Sequence, residues 1–242
     1  MSTTAIIVIV FFAFLSTFVQ RVTGFGFGIL FMTAAPHIMA TYGEATALSG
    51  TLALVCAIVT GIRFAKYIPW KKLVPILLAF LVVSFFAVRV VKEVNGGTLK
   101  HVLGVILIVV AAYFYFFSKK IHLRPTVPVQ MTMGTLSGIT GGLFGIQGPP
   151  AVIYFVSCTE KKEEYMAITQ WYFIIGNIAM SLYRAGNGFM TADVGKGWIA
   201  GVGGVLLGLW LGEKVYNKVP AGTIRKFVYI FIAVAGILAI LS

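Results

Sequence analysis

Acidic side chains are scarce in this sequence. Only seven of its 242 residues are Asp or Glu, and its long apolar segments contain none of them. Glu44 and Glu164 each precede an apolar segment, and Asp193 lies in a polar loop. A membrane protein that moves cations or metal ions normally places carboxylates within the bilayer. Their scarcity argues against a cation substrate, predicts no metal site and favours an anion.

Charge of either sign is also rare. Charged residues make up 11% of the chain, whereas 59% is hydrophobic, and the mean hydropathy is +0.96. This balance excludes a soluble protein. The net charge of +12 comes from basic residues between apolar runs, where they control topology and contact anionic lipid. A nucleic-acid partner is therefore not expected, whereas the lipid bilayer is.

The chain lacks the residue patterns of an enzyme. Its two cysteines, Cys56 and Cys158, show neither metal-ligand spacing nor a disulfide framework. No Ser–His–Asp pattern appears, and "GFGFG" has no strand–helix unit around it as a nucleotide loop would. We therefore predict no enzyme activity and no cofactor. The first basic residue is Arg21, so a signal peptide is not expected at the N-terminus and the first apolar segment should be retained.

What the sequence does contain is a series of apolar segments, which predicts an all-α polytopic membrane protein. Each half of the chain has a glycine-broken element followed by three uninterrupted spans. In the first half these are 4–22 and 24–40, then 45–62, 73–91 and 99–117; in the second, 129–141 and 142–158, then 165–183, 196–212 and 224–241. We expect about eight spanning elements, or up to ten if both arms of each broken element cross fully.

The two halves resemble each other. "VTGFGFG" (22–28) is similar to "ITGGLFG" (139–145), and "GTLKHVLGVILIV" (97–109) is similar to "GTIRKFVYIFIAV" (222–234). These matches predict a first repeat at 1–118, a cytoplasmic linker at 119–128 and a second repeat at 129–242.

The repeats should be inverted. A continuous helix over 4–40 would be roughly 55 Å long, whereas the hydrocarbon core is about 30 Å thick, so each broken element should fold back as a hairpin. Each half then crosses the bilayer an odd number of times. Most Lys and Arg residues then fall on one side, which predicts cytoplasmic basic loops and both termini outside.

The breaks are the best candidates for a binding site. In lipid, an interrupted helix is tolerated only where it is buried in protein or lines a cavity, and paired breaks point to a transporter site at the midplane. Glycines allow an anion to approach backbone N–H groups closely. The residues predicted to form this cradle are Thr23, Gly24, Gly26, Gly28, Thr140, Gly141, Gly142, Gly145, Gln147, Gly148 and Pro149. The alternative is close helix packing, which is the interpretation we favour for the glycine face of 197–212, within the fold or at a dimer seam.

Polar residues near the breaks extend this candidate site. Arg21 precedes the first break, with Gln20 beside it; Arg21 is either an anion ligand or a snorkelling interfacial arginine. Gln170 and Asn177 are seven residues apart, so they share a helix face and either bind substrate or link helices. His37 is a candidate proton carrier, although a structural, neutral histidine is the more ordinary role.

The segments "VTGFGFGILFMTAAP" and "GITGGLFGIQGPPAVIYF", each opening one half of the chain, resemble the sulfite exporter TauE/SafE family. This resemblance covers essentially the whole chain. It implies transport of a small sulfur-containing anion, such as sulfite or an organosulfonate, across the bacterial inner membrane.

With no ATP site visible, the prediction is a secondary transporter that works by alternating access, and a homodimer is a candidate assembly. The alternative is a non-transporting membrane scaffold or assembly factor that uses its glycine-rich faces to pack against partner subunits.

Overall fold

The computed structural model describes residues 1–117, 123–216 and 218, which form ten α-helices, a short 3-10 turn at Ala65–Tyr67 and no β-strand. The helices are α1 (Thr3–Thr23), α2 (Phe27–Phe31), α3 (Ala35–Ile38), α4 (Tyr42–Phe64), α5 (Trp70–Val90), α6 (Gly96–Phe117), α7 (Val127–Phe144), α8 (Gly148–Cys158), α9 (Lys162–Gly186) and α10 (Ala192–Tyr216).

Several of these helices can cross a membrane. Within the described ranges, α1, α4 together with its 3-10 turn, α5 and α10 are long and apolar enough to do so. The prediction of an all-α protein with several membrane spans is therefore confirmed. The predicted last span, 224–241, and residues 118–122, most of them in the predicted linker, lie outside the described residues.

Both predicted helix breaks are present. Helix α1 ends at Gly24, which has a φ of 90°, and Gly26 follows with a φ of 109°. Helix α7 ends at Gly145, which has a φ of 71°. These left-handed conformations are strained for any residue with a Cβ. Glycine therefore lets the chain leave each helix within two or three residues and begin a second, shorter helix.

The boundaries of the breaks differ from the sequence prediction in two places. Residues 24–40 form two short helices rather than one piece, because Pro36 cannot donate a backbone hydrogen bond and the residue before a proline disfavours helix. In the second half the helix continues past Gly141 and Gly142 and ends at Gly145. Gly141 and Gly142 therefore lie within the helix, where they allow close packing. Gly142 packs directly against Ala87 of α5.

The flanking glutamates stabilise helix starts. Thr41 and Glu44 form a capping box at the beginning of α4: the Thr41 hydroxyl accepts from the Glu44 N–H at 3.1 Å, and the Thr41 N–H donates to the Glu44 carboxylate at 3.0 Å. Glu164, in the first turn of α9, pairs with Lys72 of α5 at 2.8 Å. Both acidic residues are therefore used at helix ends.

Two rows of glycines bring helices into backbone contact. On α10, Gly204, Gly208 and Gly212 face the α1 backbone from Val10 to Phe18, and on α7, Gly134, Gly138 and Gly142 face α5. Gly197 and Gly201 contact Leu48 and Leu52 of α4. The glycine face of 197–212 therefore packs within the fold, as one of the two packing interpretations predicted.

We expect Gly208→Ala to destabilise the protein by about 1–3 kcal/mol, because overpacking a tight contact forces a backbone shift. A Cβ at Gly208 would lie 2.5 Å from the carbonyl oxygen of Phe14. Gly203→Ala is the matched control on the same helix, since no described atom lies within 4 Å of its Cβ position. There the melting temperature in detergent should be unchanged or raised, because alanine favours helix. Equal melting temperatures for the two variants would contradict this packing assignment.

The order of contacts gives the directions of the helices. The contacts advance together along α1 and α10, and along α5 and α7, so each of these pairs is parallel. Helices α4 and α9 run in opposite directions, because Gly50 lies beside Arg184 whereas Gly61 lies beside Gln170. Helix α10 therefore packs on α1 from the other half of the chain, and α5 packs on α7. This arrangement interlocks the halves and brings the two breaks together.

Candidate functional site

The two helix breaks face each other across the centre of the protein. A Cβ added to Gly28 would lie 2.5 Å from the carbonyl oxygen of Gly145, so the second break closely contacts the first. Beside this contact is a cavity of about 30 Å³, which has room for about one water molecule. Its lining residues are Gln20, Gly26, Phe27, Gly28, Ile29, Gly50, Ala53, Gly145, Ile146, Gln147, Gly148, Phe173 and Asn177.

Many of the residues predicted from the sequence lie in this wall. They are Gln20, Gly26, Gly28, Gly145, Gln147, Gly148 and Asn177. Gln170 lies next to it: its amide donates to the carbonyl of Gly24 at 2.7 Å and accepts from the amide of Gln20 at 3.4 Å. The amide of Gln170, to which Gln20 donates, therefore satisfies a backbone carbonyl that the first break exposes, as buried polar groups in a membrane require.

The other predicted residues of the breaks have local roles. The Thr23 hydroxyl bonds the carbonyls of Val19 and Phe25, at 2.9 and 2.7 Å, and fixes the first turn. The Thr140 hydroxyl bonds the carbonyl of Leu136 within its own helix at 3.0 Å. Pro149 is buried in the first turn of α8, where the N–H that it lacks would have no helical partner.

His37 is exposed on α3 and does not line the cavity. Its role as a proton carrier stays a prediction.

Arg21 is directed away from the cavity. It is 3% exposed, so it is not a snorkelling side chain. Its guanidinium pairs with Glu213 of α10, which also pairs with Arg63, and it lies 4.4 Å from the ring centroid of Tyr216. Arg21, Arg63 and Glu213 line a second cavity of about 490 Å³. The structure therefore does not bring Arg21 into the wall that its neighbour Gln20 lines.

Glu213 lies on α10, just beyond the predicted apolar segment 196–212. The apolar run ends near Gly212, but α10 continues to Tyr216. Two arginines, Arg21 and Arg63, offset the charge of Glu213 there. Within the described residues, no group of three His, Cys, Asp or Glu side chains could hold a metal ion.

A buried hydroxyl pair that the sequence analysis missed supports the second break. The Tyr172 hydroxyl donates to Ser137 Oγ at 2.6 Å, and Ser137 donates to the carbonyl of Gln147. These bonds hold the backbone at Gln147, whose side-chain oxygen has no hydrogen-bond partner in the described part of the chain. Ser137 on α7 and Tyr172 on α9 do not belong to a periodic pattern of polar residues, so the sequence did not indicate that they interact.

Arg184 is the second residue that was missed. The predicted span 165–183 ends just before it, but it lies on α9 and is 2% exposed. Gln170, Asn177 and Arg184 follow one another at spacings of seven residues and therefore lie on one face of α9. The same spacing that grouped Gln170 with Asn177 would have found Arg184 if the predicted span had been extended by one residue.

Comparison with known proteins adds a family. Residues 9–239 match the profile of the family described as "Sulfite exporter TauE/SafE". A curated relative from Cupriavidus necator, described as "Probable sulfite/organosulfonate exporter TauE", is 22% identical over 223 residues, which cover 88% of this chain and 85% of the relative. No solved structure matches the chain. Because the profile spans nearly the whole chain, this protein belongs to the sulfite exporter TauE/SafE family.

Proposed function

We propose that this protein is a secondary transporter that moves a small sulfur-containing oxyanion, such as sulfite or an organosulfonate, across the bacterial inner membrane. One observation carries the proposal: the two helix breaks meet at a cavity whose lining residues include glycines and amides and no carboxylate. The relative from Cupriavidus necator, described as a probable exporter of sulfite or organosulfonates, supports the substrate class.

The chemistry of the wall suits an oxyanion. Gln20, Gln147 and Asn177 each carry an amide that can donate two hydrogen bonds. All three are buried, between 3% and 8% exposed. Hydrogen bonds from such donors to a charged acceptor are stronger than neutral ones and gain strength in a dry site. A metal cation would find no carboxylate here.

Alternating access requires two halves that can rock against each other, and we infer that these are inverted repeats, 1–118 and 129–242, joined by the linker 119–128. The helix directions support this inference, because α4 and α9, which hold equivalent places in the two halves, are antiparallel. The parallel pairs α1–α10 and α5–α7 have the reciprocal pattern that an inverted arrangement would produce. Both termini would then be outside, and the basic loops would be cytoplasmic.

The size of the cavity fits a closed state in the transport cycle. A cavity of about 30 Å³ is too small for a sulfonate, so binding and release require its walls to separate. The amide contacts of Gln170 with Gln20 and Gly24 lie at one boundary. In this proposal they are among the contacts that break when the site opens towards that side.

Flux through reconstituted liposomes tests the function. The protein should move sulfite or short sulfonates faster than protein-free liposomes do, and should not move divalent cations. Sulfate and chloride serve as comparison anions. If only a cation moves, the anion substrate is rejected. If nothing moves, the transporter proposal fails and a scaffold or assembly factor that packs through its glycine faces becomes the better account.

A further inference from the structure

Arg184 is a buried cation without an acidic partner. All seven Asp and Glu residues of the chain lie in the described part of the structure, and none forms an ion pair with Arg184. Arginine stays charged in proteins, and a buried charge without a counter-charge is costly. A residue kept in this condition points to a partner that is absent from the chain itself.

The hydrogen bonding of Arg184 is also incomplete. Its Nη2 donates to the carbonyl of Gly141 at 3.1 Å, just before the second break. Its Nε has no hydrogen-bond partner among the described residues. A guanidinium has five N–H donors, so this one retains capacity for an additional acceptor.

The guanidinium adjoins the cavity at the breaks. A Cβ added to Gly50 would lie 2.8 Å from Nη1 of Arg184 and 3.6 Å from the side-chain oxygen of Asn177. Gly50 and Asn177 both line the cavity. Glycine at position 50 therefore leaves the space that Nη1 occupies, and the positive charge lies directly behind Gly50, a residue of the cavity wall.

One buried charge beside the cavity has no partner of opposite charge among the described residues. Three charged side chains are buried among the described residues: Arg21, Glu44 and Arg184. Glu213 offsets Arg21, and Glu44 is engaged in the capping box of α4. Arg184 alone is uncompensated, so one negative charge on a ligand would balance the site.

We propose that Arg184 is the counter-charge for the substrate and makes the site selective for a singly charged oxyanion head, such as a sulfonate, over the doubly charged sulfate. This inference rests on the proposed transport function and assigns a binding residue to the same cavity. The planar guanidinium can donate two parallel hydrogen bonds to two oxygens of such a head group. Asn177 lies seven residues before Arg184 on the same face of α9, and its amide adds a further donor.

Equilibrium binding of ethanesulfonate and sulfate to the purified full-length protein tests this role. Wild-type protein should bind ethanesulfonate at least tenfold more tightly than sulfate. Arg184→Gln should weaken ethanesulfonate binding at least tenfold, and Arg184→Lys, which keeps the charge, should weaken it less. Arg89→Gln is the matched control, because Arg89 is an exposed arginine at the end of α5, and its affinity should equal that of the wild type.

The melting temperature separates binding from a structural role. If Arg184 is a ligand-binding residue, Arg184→Gln removes an uncompensated charge, so the melting temperature without ligand should stay the same or rise. The increase in melting temperature that ethanesulfonate causes in the wild type should disappear. A fall in the melting temperature with unchanged ethanesulfonate affinity would overturn the inference and make Arg184 an anchor for Gly141.

Gly50→Ala provides a second variant that keeps the arginine. Its Cβ would displace Nη1, and ethanesulfonate affinity should fall severalfold. Wild-type affinity in both Gly50→Ala and Arg184→Gln would overturn the inference even where liposomes still show sulfonate flux. An absence of flux in the wild type would instead reject the proposed function itself, and the assignment of Arg184 with it.

Discussion

Ala53→Leu is expected to abolish sulfonate flux while the protein stays folded. Ala53 lies on α4 in the wall of the cavity between the two helix breaks, here called the break cavity, and is 8% exposed. The cavity of about 30 Å³ has no room for the larger side chain and an oxyanion together. Overpacking a buried position costs about 1–3 kcal/mol, so the melting temperature should fall modestly. Two measurements on one preparation test this prediction: the flux of a short sulfonate into liposomes and the melting temperature.

Ala57→Leu is the matched control for this effect. Ala57 lies one turn further along α4 and is fully buried, but it does not line the cavity. The same substitution should therefore cost similar stability and leave flux largely intact. If both variants lose flux in proportion to their melting temperatures, stability rather than occupancy of the cavity explains the loss. Normal flux through Ala53→Leu would show that the substrate passes elsewhere.

Glu213→Gln is expected to destabilise the protein by about 1–3 kcal/mol, less than the loss for a fully buried ion pair, because the Glu213 side chain is 35% exposed. The substitution leaves the guanidinium of Arg21, which is 3% exposed, without its carboxylate. Arg63, the other partner of Glu213, is 60% exposed. Because exposed ion pairs contribute little, Arg63→Gln should cost less than about 1 kcal/mol. Unfolding in detergent, followed by denaturant or heat, measures both variants.

A double substitution isolates the pair. Arg21→Met combined with Glu213→Gln removes both charges, so the combined variant should be more stable than Glu213→Gln alone. The ring of Tyr216, 4.4 Å from the Arg21 guanidinium, remains in each variant and contributes equally to Glu213→Gln and wild type. Additive losses from the two single substitutions would contradict a direct interaction between Arg21 and Glu213.

The helix breaks could be predicted from the sequence because their causes are local. Gly24, Gly26 and Gly145 adopt positive φ values, which other residues strongly disfavour. Proline at the start of α8 cannot continue a hydrogen-bonded helix from the preceding residues. Such local causes can be recognised in a short sequence segment. The presence of one break in each half also predicted that the two breaks form a common site.

The partners of the side chains near the breaks could not be predicted in the same way. Gln20 and Arg21 are adjacent, yet one lines the break cavity and the other pairs with Glu213 from the opposite half of the chain. Their directions depend on how α1 packs against α9 and α10. Arg184 was misplaced for a related reason: its charge marks a loop in a hydropathy pattern, whereas packing by α4 and α7 buries it.

The helix pairing itself was beyond the sequence pattern. The glycine row on α10 predicted a packing face but gave no partner for it. The partner is α1, because the spacing of Gly204, Gly208 and Gly212 lets its backbone approach closely. On the other side of the protein the glycines lie on α7 and the larger residues on α5. The glycines lie on α10 in one pair and on α7 in the other, and this difference cannot be predicted by comparing the two halves residue by residue.

The position of a bound sulfonate tests the central claim most directly. A crystal structure with bromoethanesulfonate would locate the ligand by the anomalous scattering of its bromine. Our account predicts the sulfonate at the enlarged break cavity, beside Asn177 and Arg184 and between the glycines of the two breaks. A ligand found instead in the second cavity, on Arg21 and Arg63, with the break cavity still closed, would contradict it.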